Sequence, residues 1–194
     1  MWGLVVTAIL ITGVPGSGKS SVAQELCRRG HSAIDADEDD ALSGWVSTVK
    51  PGERPSEEIS DWFTNHRWEW NSARLDRLIE WVGAKTMFLC GSASNLDELI
   101  DRFSMIIALE IDVETLADRL DVIDRAHGYA GGDGDTRAQI GGWLPRHQER
   151  LRGFGALSVD AKQSIEDLVS EILVVTGAGN IDSDTSRRSQ SSGS

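Results

Sequence analysis

Short apolar runs alternate with longer amphipathic stretches along the chain. The runs are rich in Ile, Val and Leu, which is typical of strands buried on both faces of a parallel sheet. They predict strands at residues 4–12, 32–34, 86–90, 104–111 and 156–159. Apolar residues at three- and four-residue spacing predict helices at residues 19–29, 57–82, 96–103, 113–123, 139–152 and 164–173. This alternation predicts an α/β domain with a mainly parallel sheet and ligands at the carboxyl ends of the strands.

Three segments lack this periodicity. Residues 41–57 contain Pro51, Gly52 and Pro55, so they are predicted to be a loop. Residues 126–142 hold six glycines and are predicted to be a mobile loop. The tail, 177–194, is rich in Ser, Gly and Asp and is predicted to be disordered. One domain over residues 1–176 is therefore expected.

The net charge of the chain limits the classes of partner that it is expected to bind. It carries 31 acidic against 19 basic side chains, a formal net charge of −12, so we expect no nucleic-acid partner. The two cysteines form neither a disulfide framework nor a metal-ligand spacing, which indicates a reduced compartment. No apolar run reaches the length of a membrane span. We therefore expect a cytoplasmic protein without a membrane partner, and its oligomeric state stays open.

Residues 13–20 read GVPGSGKS and match the phosphate-loop pattern G-x-x-x-x-G-K-[ST]. An apolar strand precedes the motif and an amphipathic helix follows it. The glycines let backbone N–H groups approach a phosphate, and the helix N-terminus adds its positive end. We expect Lys19 to reach the β- and γ-phosphates of ATP and the Ser20 hydroxyl to bind Mg²⁺. The predicted nucleotide-binding residues of the loop are Gly13, Gly16, Ser17, Gly18, Lys19, Ser20 and Ser21.

Other classes of P-loop protein need motifs that this sequence lacks. No Asp is followed by Gly three residues later and no N-K-x-D is present, which argues against a GTPase switch. There is no LSGGQ-like signature, which argues against a transporter-type ATPase. These absences leave the kinase class open.

Residues 11–26, ITGVPGSGKSSVAQEL, are followed by Asp35-Ala36-Asp37 and, late in the chain, by a Gly-rich segment with arginines. In these features the sequence resembles the small P-loop kinases, a group with adenylate and other nucleoside monophosphate kinases, shikimate kinase and gluconate kinase. The resemblance spans about residues 5–173. It implies a three-layer P-loop NTPase fold with a five-stranded parallel sheet, an acceptor-binding helical region after the second strand, and a lid at about 125–152 that closes over ATP.

The resemblance also implies roles for acidic residues. Asp35 and Asp37 occupy the place where shikimate-type kinases keep carboxylates that assist Mg²⁺ and hold the acceptor hydroxyl. Both are predicted catalytic, with Asp37 the predicted metal ligand beside Ser20. Many nucleotide kinases have an Asp where Cys90 and Gly91 stand, and its absence leaves the pair as the main metal support. The alternative is an acidic loop that caps a helix.

Arginines flank and follow the glycine-rich segment. Arg119 and Arg125 lie where the family keeps lid arginines, so Arg119 is predicted to bind the nucleotide and Arg125 to act in catalysis. Arginines in a closing lid neutralise charge on the transferring phosphoryl group. Further candidates follow at Arg137, Arg146, Arg150 and Arg152. The alternative is a solvated helix face paired with nearby Asp and Glu.

The acceptor side is predicted from five tryptophans that lie between positions 45 and 81. Trp62, His66 and Trp70 have the spacing of one helix face, and Arg67 and Arg74 lie on a neighbouring stripe. This predicts a pocket in which Trp70 stacks on a ring while Arg67 and Arg74 hold an anion. The alternative is that these tryptophans are core residues.

The sequence thus predicts an ATP- and Mg²⁺-dependent phosphotransferase acting on a small molecule, with a nucleoside or nucleoside monophosphate favoured over a shikimate- or gluconate-like acceptor. The competing hypothesis is a nucleotide-binding regulatory ATPase without acceptor turnover. Acceptor-dependent release of ADP separates the two.

Overall fold

The computed structural model describes residues 8–49, 65–83, 85–127 and 136–180. Its strands are β1 (Ala8–Thr12), β2 (Ser32–Asp35), β3 (Ser43–Ser47), β4 (His66–Trp70), β5 (Met87–Cys90), β6 (Met105–Glu110) and β7 (Leu157–Asp160). Its α-helices are α1 (Lys19–Arg28), α2 (Ser72–Val82), α3 (Leu96–Leu99), α4 (Val113–His127), α5 (Thr136–Gly153) and α6 (Ile165–Val175). Short 3₁₀ turns lie at Ala36–Glu38, Ile100–Arg102 and Ala178–Asn180.

Five strands form a parallel sheet in the order β2-β5-β1-β6-β7. All five residues of β1 are buried, because this strand lies in the middle of the sheet. The segment after β1 therefore leaves the sheet at the centre of its carboxyl edge, between the ends of β5 and β6. The predicted five-stranded parallel sheet is confirmed.

Alternate residues of the strands pack against two helical layers. Ile9 and Ile11 of β1 face an apolar cluster shared with α1, α4 and α6. Ala8 and Leu10 face a second cluster shared with α2 and α3. The resulting helix–sheet–helix arrangement confirms the three predicted layers, and it follows from the unbroken apolar runs of the central strands.

The segment after β2 departs from the prediction. Within 41–57, predicted to be loop, β3 forms and pairs antiparallel with β4, which lies inside the predicted 57–82 helix. In the described part of that predicted helix, residues 65–82, α2 forms over Ser72–Val82, and the Asn71 side chain caps it by accepting from the Arg74 N–H. Residues 57–64, with Trp62, lie outside the described part. His66, Trp68 and Trp70 alternate at the strand period of two. Trp68 packs against Trp45 across the hairpin, with ring centroids 5.4 Å apart.

The glycine-rich segment is also shorter than predicted. Helix α4 continues to His127 and α5 begins at Thr136, so Gly141 and Gly142 are helical. Residues 128–135 lie outside the described part. Of the predicted disordered tail, residues 177–180 are described and Ala178 is buried; the others lie outside it. None of the described helices is long and apolar enough to cross a membrane. The domain limits and the lid stay predictions.

Candidate active site

The phosphate loop connects β1 to α1 and turns tightly. Gly16 and Gly18 have φ of +83° and +102°, a region that only glycine adopts without strain. The Ser17 N–H donates to the Val14 carbonyl, 3.1 Å away. The backbone N–H groups of residues 18–21 have no hydrogen-bond partner among the described residues, and the buried Ser17 hydroxyl has none there either. These free donors at a helix N-terminus fit a phosphate group.

Lys19 starts α1 and is only 7% exposed. Its Nζ donates to the Val14 carbonyl oxygen at 3.2 Å, which folds the side chain back over the loop. Burial lowers the pKa of Lys19, and the negative charges of Asp37 and Asp35 act in the opposite direction. The lysine of the loop therefore lies within electrostatic reach of the two predicted catalytic carboxylates.

A cavity of about 780 Å³ opens beside the loop. The phosphate loop contributes polar lining, and Ile165 and Leu168 contribute apolar lining. This volume is within the range of ligand pockets, and polar lining joined to apolar lining fits a nucleotide. The lining comprises Gly16, Ser17, Gly18, Lys19, Ser20, Ser21, Thr115, Asp118, Arg119, Ala161, Gln163, Ile165 and Leu168. Gly13 lies beneath the loop, where an added Cβ would be 2.7 Å from Ser17 Oγ.

Arg119 is part of the cavity wall. Its guanidinium donates to the carbonyl oxygens of Gly16 (3.2 Å), Ser17 (3.4 Å) and Ala161 (2.7 Å). It therefore ties the phosphate loop to the connection between β7 and α6, in addition to lining the space where a nucleotide is predicted. The backbone of Arg125 lies in α4; its side chain is outside the described part, so its catalytic role stays a prediction.

The strand β2 ends at Asp35, and Asp37 lies in the 3₁₀ turn that follows. The Asp35 carboxylate accepts from the Asp37 N–H at 3.1 Å and caps the 3₁₀ turn, as the capping alternative expects. Asp37 Oδ1 accepts from the indole N–H of Trp68 at 3.2 Å. Although Asp37 reaches the surface, desolvation raises its pKa; Lys19 and Trp68 oppose this, and Asp35 adds to it. The neighbouring residues therefore fix the Asp37 carboxylate by a hydrogen bond and shift its pKa.

Ser20 and Asp37 have the oxygen donors that Mg²⁺ prefers. This ion usually takes one or two protein ligands together with substrate phosphate oxygens and water. A serine hydroxyl at the start of α1 and a carboxylate near Lys19 fit that pattern. When bound, Mg²⁺ would neutralise phosphate charge.

Gly91 follows β5 where many nucleotide kinases have an acidic residue. An added Cβ would lie 2.7 Å from the Ala36 Cβ, 2.8 Å from Trp70 Cζ2 and 3.6 Å from Asp37 Oδ1. The close packing between β5 and the turn after β2 leaves no room for a side chain, which explains the missing carboxylate.

The three residues predicted to hold the acceptor do not share a helix face. Trp70 is 2% exposed in the second apolar cluster, and its backbone forms hydrogen bonds with the Asn95 side-chain amide. Trp70 is therefore a core residue, as the alternative interpretation expects. Arg74 forms an ion pair with Asp39, Nη2 to Oδ2, at 2.8 Å. Arg67 is exposed on the hairpin face opposite Trp68. Trp68, which the sequence did not assign, is the aromatic residue that reaches Asp37.

The later arginine candidates for the lid whose side chains are described lie on the surface, and two of them form ion pairs, as the alternative of a solvated helix face expects. Arg150 pairs with Asp97 at 2.8 Å and Arg152 with Glu110 at 2.7 Å. Arg146 is exposed. The side chain of Arg137 lies outside the described part.

Comparison with known proteins places the chain in a family. Residues 9–122 match the family described as AAA domain. The fold is similar to that of shikimate kinase from Acinetobacter baumannii in complex with shikimate, with a TM-score of 0.57 and 17% identity over 91% of this chain and 96% of that one. No curated protein sequence matches.

Two further structures are similar at lower scores. One is deoxyadenosine kinase from M. mycoides, with a TM-score of 0.49 and 13% identity over 89% of this chain and all of that one. The other is a gluconokinase from Sinorhizobium meliloti, with a TM-score of 0.47 and 19% identity over 89% and 93%. Likeness at these identities concerns the fold. Because the AAA domain match spans more than half of the chain and includes the phosphate loop, the chain belongs to the AAA domain family and has the fold of a small P-loop kinase.

Proposed function

We propose that this chain is an ATP-dependent phosphotransferase that moves the γ-phosphoryl group of Mg-ATP to a hydroxyl group of a small molecule. The observation that carries the proposal is the position of Asp37 beside Gly91, at the end of the strand that pairs with β1 and so next to the phosphate loop. The charges of Lys19 and Asp37 also act on each other's pKa. A phosphate-binding cation and a nearby carboxylate base are groups that phosphoryl transfer uses.

The donor half, formed by the phosphate loop and the cavity beside it, binds ATP and stabilises its phosphate charge. The free N–H groups of residues 18–21 and the Lys19 ammonium hold the phosphates of ATP. The cavity between Arg119 and Leu168 receives the rest of the nucleotide. When bound, Mg²⁺ would be held by the Ser20 hydroxyl and the Asp37 carboxylate.

The acceptor half supplies the base. Asp37 orients the acceptor hydroxyl and takes its proton as the new O–P bond forms and the bond from the γ-phosphorus to ADP breaks. Desolvation raises the pKa of Asp37, which favours proton acceptance, and Mg²⁺ when bound would act in the opposite direction. The Trp68 indole fixes the carboxylate through its hydrogen bond to Oδ1.

Within this proposal we place a nucleoside ahead of a nucleoside monophosphate. A monophosphate acceptor needs convergent arginines, and Arg74 is engaged by Asp39. The Trp45–Trp68 pair next to Asp37 offers aromatic surface to a ring, which an uncharged nucleoside uses well.

The test measures ADP formation from Mg-ATP with a panel of nucleosides, nucleoside monophosphates, hydroxy acids and sugars. A nucleoside is expected to raise ADP formation well above a Lys19→Ala control. If no acceptor raises it above that control, the phosphotransferase proposal fails. Slow ADP formation that no acceptor changes would favour the regulatory ATPase.

A further inference from the structure

Helix α5 crosses the carboxyl edge of the sheet. Leu144 packs in the first apolar cluster and Leu151, two turns later, packs in the second. Gln148 Nε2 donates to the Ile111 carbonyl oxygen, which directly follows β6, at 2.8 Å. Arg150 pairs with Asp97 of α3, which follows β5. Because β1 lies between β5 and β6, this part of α5 passes over the end of β1, where the phosphate loop begins.

His147 lies in the middle of this crossing. It is three residues after Leu144 and four before Leu151, so the three side chains share the face that α5 turns toward the sheet. The imidazole Nε2 is buried and has no hydrogen-bond partner among the described residues. The Trp143 ring packs edge-on against the imidazole, with centroids 6.5 Å apart. A buried ring nitrogen without a partner is costly, so a ligand that supplies one is favoured.

The charges around His147 point to the donor side of the cleft. Burial lowers the pKa of His147, and the positive charges of Arg150 and Lys19 lower it further. A lowered pKa leaves the imidazole neutral at neutral pH, with one nitrogen as an N–H donor. The influence of Lys19 agrees with a position over the phosphate loop. Asp35 ends β2 and Asp37 follows it, at the far side of β5.

We propose that His147 Nε2 donates a hydrogen bond to a γ-phosphoryl oxygen of bound ATP. His147 thereby distinguishes the triphosphate from ADP and positions the group that is transferred. This inference rests on the proposed donor site. The chemical class it recognises is the terminal phosphoryl group of a nucleoside triphosphate, and a contact with the acceptor hydroxyl is the outcome that would replace it.

The test measures, by calorimetry in the presence of Mg²⁺, how tightly the protein binds a non-hydrolysable ATP analogue and how tightly it binds ADP. This measurement needs no acceptor and no turnover. His147→Leu is expected to weaken the ATP analogue about tenfold to a hundredfold and to leave ADP within about twofold. His147→Gln, whose amide nitrogen reaches the place of Nε2, is expected to keep most of the preference. The shorter His147→Asn is expected to lose it. His31→Leu, which removes a histidine that contacts Phe88, is the matched control and should change neither ligand.

The outcomes separate the two proposals. An unchanged ATP analogue affinity in His147→Leu, or an equal loss for both nucleotides, overturns the role of His147. Equal behaviour of the Gln and Asn variants overturns it too, even where the Leu variant does not fold. Normal nucleotide binding with a raised acceptor KM would assign His147 to the acceptor instead. Failure of the wild type to bind either nucleotide would contradict the proposed function itself.

Discussion

The phosphate-binding part of the nucleotide site comes from one continuous stretch of chain, whereas the proposed acceptor half is assembled from three separate ones. The loop from β1 to α1 carries the phosphate donors and Lys19. Asp37 follows β2, Trp68 comes from the β3–β4 hairpin, and Gly91 follows β5. The difference suggests that the first half tolerates little change in sequence but depends little on the rest of the fold. The second half depends on how distant segments pack.

The largest effect on turnover is expected at Asp37, where the proposed acceptor half adjoins the phosphate loop. Asp37→Asn keeps an oxygen for the Trp68 indole but removes the base and the charge that faces Lys19. Acceptor-dependent turnover should fall by about 10²- to 10⁴-fold, while the affinity for an ATP analogue measured without Mg²⁺ stays largely unchanged. Steady-state kinetics and calorimetry measure the two.

Asp35→Asn is the matched control for this change. An asparagine oxygen still caps the 3₁₀ turn by accepting from the Asp37 N–H, so a much smaller loss of turnover is expected. Equal losses in the two variants would contradict the proposal that Asp37 is the base.

The packing of the acceptor half is tested at Gly91. In Gly91→Ala the new methyl group meets Ala36 and Trp70 closer than 3.0 Å, so the turn that carries Asp37 must move. The free energy of unfolding should fall by about 1–3 kcal/mol, and turnover should fall with it. Gly44→Ala in β3 is the control, because an added Cβ meets nothing within 4 Å there. Urea denaturation of both variants measures the difference; equal stability would contradict the close packing.

Ala161, Gln163, Ile165 and Leu168 line the cavity but lie far along the chain from the loop, so spacing did not predict them. The phosphate loop itself could be predicted because its chemistry is local. Gly18, Lys19 and Ser20 are adjacent, and the apolar run before them can only be a central strand. The acceptor half was misread because Trp62, His66 and Trp70 fit a helical spacing, although His66, Trp68 and Trp70 also fit the period of a strand. The period of two was the signal that would have found the hairpin. Whether Arg74 meets a substrate or Asp39 depends on tertiary packing, which spacing does not encode.

A smaller effect is expected at Arg74. Arg74→Met removes the partly exposed ion pair with Asp39, which is worth about 1 kcal/mol or less. The free energy of unfolding in urea should fall by that amount, with the acceptor KM unchanged. A KM raised tenfold at unchanged stability would instead place the acceptor on Arg74, as the helical reading of the sequence predicted.

The smallest effect is expected away from both halves, on α1. Arg28 and Arg29 hold the pKa of Glu25 at about 2, below its ordinary 4.5. A lowered carboxyl pKa stabilises the folded state above pH 4.5, and that stability is lost as the pH falls through about 2. Thermal denaturation of Glu25→Gln between pH 7 and pH 2 should therefore show a shallower decline than the wild type. Parallel curves would contradict this, and ATP binding should not change.

We propose that the nucleotide site and the acceptor site meet so that a phosphoryl group passes from ATP to the acceptor. Phosphorus NMR of a reaction with Mg-ATP and the most effective acceptor tests it directly, because it identifies where the γ-phosphorus goes. The account predicts a phosphate ester on the acceptor hydroxyl, formed in step with ADP and absent with Asp37→Asn. Inorganic phosphate as the sole product, at a rate that the acceptor does not change, would contradict it.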